Sequence, residues 1–329
     1  MKVLNTILFF IAILLIAISC QTKPADTGAG VISATDSRNK TIYLEQPAQR
    51  VMVLFAPMVD QVYMLQAGTQ LIAIPEQVYL DASTFDALSQ LDERIASKSL
   101  ATPSFGGSSA NLESVVRLKP DLAIVYEFDS ETITQLEDLG IPVFSVSSKD
   151  KESIYAELIG VARLMGKEKR AEELIHYTSE ELKKMGDVSV GGKKKIYYAW
   201  SKGRIFSTSG KGSLVDLAIE SAGADNACPL NMQAANIGAE LIYQWNPDLI
   251  ILWNSEPADV YKLKELAALP AVKSKQVFEL SPTFNFDPHT LKFLVFAKQL
   301  RQWCYPDPNY SLKEEVNETL AILYGQKLK

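Results

Sequence analysis

Two stretches of this chain carry the same pattern of apolar and polar positions. "NLESVVRLKPDLAIVY" occupies residues 111–126 and "GAELIYQWNPDLIILW" residues 238–253. In each, a short amphipathic segment meets a proline, then Asp-Leu, then an unbroken apolar run. A continuous run such as "DLAIVY" or "DLIILW" fits a strand buried on both faces of a parallel sheet; an alternating run would mark a sheet with one wet face. The segment before it predicts a helix. Pro120 and Pro247 stop that helix, because the residue ahead of a proline is pushed out of the helical region. Each echo is therefore a helix–turn–strand unit.

The parallel extends on both sides. "RVMVLF" (50–55) and "KKIYYAW" (194–200) each predict an opening strand. A helix-like stretch follows each and ends at Ala67-Gly68 or Ala222-Gly223, with Gly just past the C-terminus, where its backbone freedom is most useful. "IPVFSVS" (141–147) and "KQVFELS" (275–281) predict closing strands. The order strand, helix, then helix, strand, helix, strand predicts an α/β fold with two Rossmann-like lobes, mainly parallel sheets and right-handed crossovers.

Residues 153–185 separate the halves. Ile154, Leu158, Val161 and Leu164 keep helical spacing up to Gly166, and a second helix runs from Lys167 to about Met185. That second stretch has no Gly or Pro. It pairs Glu172 with His176 and Glu180 with Lys184 one turn apart, each adding a small increment of helix support. It predicts a single long rigid strut that holds the lobes at a nearly fixed angle.

The N-terminus changes the picture. "MKVLNTILFFIAILLIAISC" has one Lys and an apolar run from Ile7 to Ile18, too short for the ~20 residues that span a bilayer and suited to an export signal. It ends at Cys20 in a sequence that resembles the lipobox of bacterial lipoproteins. That resemblance implies cleavage before Cys20 and a lipid on its sulfur, so the protein is expected to be exported and anchored to a membrane. Residues 21–40 are polar and small, as in a flexible tether. The expected division is a signal at 1–19, a tether at 20–40, an N-terminal lobe at 41–165, a connecting helix at 166–190 and a C-terminal lobe at 191–329. An exported chain permits a disulfide between Cys228 and Cys304, and the sequence leaves that pairing open.

Charge and motifs exclude several classes. A net charge of −6 argues against a nucleic-acid partner, which needs a basic face. No catalytic residue is assigned: Gly106-Gly107-Ser108-Ser109-Ala110 fails the G-x-S-x-G elbow at its last position, and "GKGS" (210–213) lacks the spacing of a phosphate loop. No metal site is expected either, because the two His, His176 and His289, are far apart.

Together "QRVMVLFAPMVDQVYMLQAGTQLIAI", "NLESVVRLKPDLAIVYEFDSETITQLEDLGIPVFSV", "LMGKEKRAEELI" and "LIYQWNPDLIIL" resemble the substrate-binding lipoproteins of bacterial ABC importers for iron–siderophore complexes, haem and vitamin B12. The likeness runs from residue 41 to about 307. It implies a monomer with one ligand cleft between the lobes, no cofactor, and a membrane permease with its ATPase as partners. It also implies that Glu113 and Glu240, each seven residues before its Pro, dock on permease arginines. A helix dipole favours a Glu in a first turn anyway; the symmetry of the pair is what speaks for docking.

Ligands of open α/β sheets bind beyond the C-terminal ends of the strands. The loops there are 55–60, 102–107 and 126–129 in one half and 200–206, 253–257 and 281–287 in the other. They supply the candidate ligand-binding residues: Phe55, Pro57, Met58, Phe105, Glu127, Phe128, Trp200, Arg204, Trp253, Asn254, Phe284 and Phe286. Aromatics give large contact area at low entropic cost, which suits a bulky, partly apolar cargo. A ferric siderophore is the first expectation, with haem or cobalamin as alternatives. For haem, Tyr126, Tyr198 and His289 are the axial-ligand types available. Lys202 and Arg204 are the rim cations. A ligand sensor that does not transport is the rival outside the importer class.

Overall fold

The computed structural model describes residues 31–106, 109–185, 192–200, 203–232 and 235–328. The expected signal, Cys20 and the first part of the tether lie outside them. Residues Ile32–Lys329 form one compact unit.

The expected tether ends earlier than residue 40. β1 (Ile32–Thr35) and β2 (Thr41–Leu44) form an antiparallel hairpin. The polar turn between them is pinned, not loose: the Asp36 carboxylate accepts from the N–H groups of Arg38 (2.9 Å), Lys40 (3.1 Å) and Ser145 (3.2 Å). Arg38 and Lys40 in turn reach Glu137 at 2.8 and 3.0 Å. Small polar residues that resemble a linker here satisfy the edge of a lobe.

In the N-terminal lobe, β3 (Val51–Val53), β4 (Leu71–Ala73), β5 (Leu122–Tyr126) and β6 (Val143–Val146) form a sheet in the order β4-β3-β5-β6. In the C-terminal lobe, β7 (Lys195–Ala199), β9 (Asp225–Asn226), β11 (Leu249–Trp253) and β12 (Val277–Leu280) take the order β9-β7-β11-β12. A small antiparallel pair, β8 (Ser207–Thr208) with β10 (Ala235–Asn236), stands apart. Every pairing within the two main sheets is parallel. The echo is therefore structural: both lobes have the same strand order, with the reversal between their first and third strands. β5 and β11 are the doubly covered strands their apolar runs predict, with Leu122–Val125 and Leu249–Leu252 all buried.

The main helices are α1 (Ala56–Met64), α2 (Leu112–Leu118), α3 (Lys151–Leu164), α4 (Glu168–Met185), α5 (Leu214–Ser221), α6 (Ala239–Trp245), α7 (Phe293–Cys304) and α8 (Leu312–Tyr324). The echo helices α2 and α6 both end on a left-handed residue directly before the proline, Lys119 at φ 48° and Asn246 at φ 45°. Their N–H groups donate to the carbonyls of Val115 and Ile242. The preceding residue thus escapes the clash with proline by reversing its handedness instead of extending.

The strut α4 buries Ala171, Leu174 and Thr178 and leaves its charged face in water. Its ion pairs include Glu180–Lys183 and Glu181–Lys184, both 2.7 Å and three residues apart, in place of the expected four-residue Glu180–Lys184 spacing. The strut is also not the sole link between lobes. One apolar cluster includes Val51 and Leu122 of the first sheet, Ile196 and Leu249 of the second, Leu174 of α4 and Phe296 of α7. The C-terminal helix α8 returns toward the N-terminal lobe: its Tyr324 hydroxyl donates to Asp60 of α1, and Arg170 of α4 donates to the carbonyls of Ile322 (2.5 Å) and Leu323 (3.0 Å). Cys228 and Cys304 are both buried and free, so the question of a disulfide between them resolves to no bridge.

Candidate functional site

Beyond the C-terminal ends of both sheets lies a cavity of about 750 Å³ lined by residues of both lobes. Parallel strands all end on this side, and the helices that follow them begin here. The first residues of α1, of the helix Ala82–Leu88, of α3 and of α5, or their caps, therefore sit at the cavity wall.

The walls are aromatic. Phe55 stacks on Tyr126 with ring centroids 4.3 Å apart, and Phe128 leans on Tyr126 at 5.2 Å. On the opposite side Trp200 meets Tyr198 edge-on at 6.1 Å, its indole N–H donating to Ser209 Oγ at 3.0 Å. Trp253, Asn254 and Phe284 complete that side.

The floor is ionic. Lys292, with a side chain only 1% exposed, sits 2.8 Å from Asp60 Oδ2 and 3.4 Å from the centroid of Phe284. The Tyr324 hydroxyl donates to the other oxygen of Asp60. Burial pushes the Asp60 carboxyl above its ordinary range, and Lys292 and Tyr324 offset only part of that rise. Asp287 behaves oppositely. Burial alone would raise it, but His289, 2.9 Å away through Nδ1, and the charge of Lys292 outweigh burial and hold it at about 2. Several of these links join the lobes: Lys292 and Tyr324 to Asp60, Gln61 Nε2 donating to the His289 carbonyl (3.2 Å), and the Phe284 N–H donating to Ser83 Oγ (2.9 Å).

Of the residues picked from the sequence, Phe55, Pro57, Phe128, Trp200, Trp253, Asn254 and Phe284 line the cavity. Met58, Phe105, Glu127, Arg204 and Phe286 do not. Met58 is fully buried on the inner face of α1. Phe286 is buried against Phe296, at 6.5 Å. Phe105 is exposed on a loop whose carbonyl accepts from Gln77. Glu127 turns to Lys149 at 2.9 Å. Arg204 lies exposed in a turn, and Lys202 is outside the described residues. Tyr126, Tyr198 and His289, expected only for haem, line the cavity as well.

Sequence reasoning missed Asp60, Lys292 and the Ser147–Asp150 loop. The loop was findable: it follows the closing strand "IPVFSVS", and every strand of a parallel sheet ends on the same side. Glu113 and Glu240 are both exposed in the first turns of α2 and α6, and Glu113 lies 3.8 Å from Arg117. Among the described residues no group of three or more His, Cys, Asp and Glu is placed to hold a metal ion.

Comparison with known proteins agrees with this architecture. Residues 84–283 match a family model described as periplasmic binding protein. An uncharacterized ABC transporter substrate-binding lipoprotein of Bacillus subtilis, YvrC, is 22% identical over 286 residues, covering 84% of this chain and 86% of that protein. Among solved structures, Haemophilus influenzae MolA bound to molybdate superposes with a TM-score of 0.77 at 20% identity, covering 90% of this chain and 99% of that one. Helicobacter pylori CeuE in a Ni-His complex gives 0.74 at 19% identity, covering 91% and 97%.

Proposed function

Since the chain belongs to the periplasmic binding protein family, we propose that it is the substrate-binding component of an ABC importer, that it captures an iron–siderophore-type complex between its lobes, and that it hands the complex to a membrane permease. The observation that carries this reading is the cavity walled by aromatic side chains from both lobes. Such a wall suits a bulky complex with apolar surface better than a bare ion. Cys20, lipidated after export, would keep the protein beside its permease.

Glu113 and Glu240 are the proposed docking charges. They occupy matching first-turn positions on the two echo helices, and both face solvent. Exposed charge pairs of this kind set orientation and on-rate more than affinity. In cells, Glu113→Ala combined with Glu240→Ala is expected to lower uptake of the ferric complex at least tenfold, while the purified variant keeps its affinity for it. Undiminished uptake would remove these residues from the docking role, and lost affinity would place them at the cargo instead.

Haem is the second reading, favoured by Tyr126, Tyr198 and His289 at the cavity wall. A Soret shift on adding haemin would mark it.

A further inference from the structure

We infer that this cleft selects a neutral or cationic complex and rejects anionic ones, an inference that rests on its being the cargo site. A protein cleft can hold an anion with side-chain cations or with the free N–H groups of helix N-termini and strand ends. Among the described residues at the cavity wall, the basic side chains are paired and most of the helix starts are capped by the protein's own groups.

The cations come first. Among the described residues, Lys149, His289 and Lys292 are the basic side chains at the wall. Each has a carboxylate beside it: Glu127 at 2.9 Å from Lys149, Asp287 at 2.9 Å from His289 and Asp60 at 2.8 Å from Lys292. Among the described residues no arginine lines the cavity, and four aspartates do, Asp60, Asp81, Asp150 and Asp287.

The backbone donors follow. The helix Ala82–Leu88 is capped by Asp81, which accepts from the Thr84 N–H at 2.8 Å. Asp150 caps α3 through the Ser153 N–H at 2.8 Å. Ser213 caps α5 through the Asp216 N–H at 3.1 Å, and the Asp216 carboxylate takes the Gly212 N–H at 3.0 Å. α1 has no side-chain cap but carries Pro57 in its first turn, where a donor is missing. At the end of β6, the N–H groups of Ser147 and Ser148 make a small nest, and it is filled: Glu157 accepts from both, at 2.7 and 3.0 Å, and from both hydroxyls. At Asp81, Asp150, Asp216 and the Glu157 nest an incoming anion would have to displace a built-in carboxyl group, and at α5 the Ser213 hydroxyl; the start of α1 is uncapped, with one donor removed by Pro57.

What remains open to cargo is mainly aromatic face, with neutral polar groups such as Gln77, Asn254 and Thr283 between. Ring faces carry negative electrostatic potential and attract cations, so Phe55, Tyr126, Phe128, Trp200 and Trp253 favour the charge the carboxylates also favour. A ferric trihydroxamate fits this wall; a ferric tricatecholate or an oxyanion does not.

The test is a titration of the full chain in detergent, read by tryptophan fluorescence. The probes are ferrioxamine B (cationic), ferrichrome (neutral), ferric enterobactin (trianionic) and molybdate. The inference predicts that a cationic or neutral probe binds at least ~100-fold tighter than either anion, because like charges brought together across the cleft repel. It also predicts that Glu127→Gln, which frees Lys149 at the rim, improves binding of ferric enterobactin by roughly threefold. An anion that binds as tightly as ferrioxamine B and ferrichrome would overturn the inference and leave the cargo site standing. Binding by none of the four would remove both.

Discussion

Lys292 shows how one side chain can join architecture to site. It lies on the C-terminal side of the cleft, its partner Asp60 comes from α1 of the other lobe, and both are almost completely buried. Removing one member of a buried pair leaves an uncompensated charge, which costs about 3–5 kcal/mol. Lys292→Met is expected to destabilise the protein by about that much in chemical denaturation, and Asp60→Asn in the same chain to restore part of the loss. If Lys292→Met has wild-type stability, the pair does not hold the lobes together. Asp287 makes a pH prediction. Its folded value of about 2 lies below that of an unfolded aspartate, so between about pH 4 and pH 2 the unfolded chain binds more protons and stability falls as pH falls. Asp287→Asn should flatten that decline by up to about 2 kcal/mol, read from thermal unfolding across the window.

At the scale of elements, the chain's pattern carried six of the eight strands described in the two main sheets and the echo helices, because continuous apolar runs and helix-stopping prolines are local signals. β4 and β9, Leu71–Ala73 and Asp225–Asn226, were not legible: their pairing with β3 and β7 in the sheets is what makes them strands. Strand β1 and the turn after it were misread as tether because that polar turn is satisfied by residues about a hundred positions away, among them Ser145 and Glu137. Aromatics at strand ends were legible as cleft residues where the strand stops, as at Phe55, Trp200 and Trp253. The reading failed further from the strand end, as at Met58 and Phe286, both buried, where side-chain direction is set by tertiary packing. The ionic floor was invisible for the same reason, since Asp60, Lys292 and Tyr324 come together only through folding.

The whole molecule is two copies of one α/β plan with the same strand order, facing each other across an aromatic cavity. A shared core, the strut α4 and the returning helix α8 tie the lobes, so cargo should enter with little change in their angle. Two of the four tryptophans, Trp200 and Trp253, line the cavity; Trp245 and Trp303 do not, Trp303 being stacked on Phe278 at 4.9 Å. That division gives the most direct test. Titration of the full chain with ferrichrome should give saturable, one-to-one quenching, and most of that quenching should vanish in the Trp200→Phe/Trp253→Phe variant. Quenching that persists undiminished in that variant, carried by Trp245 and Trp303, would place the cargo outside the cleft and contradict the account.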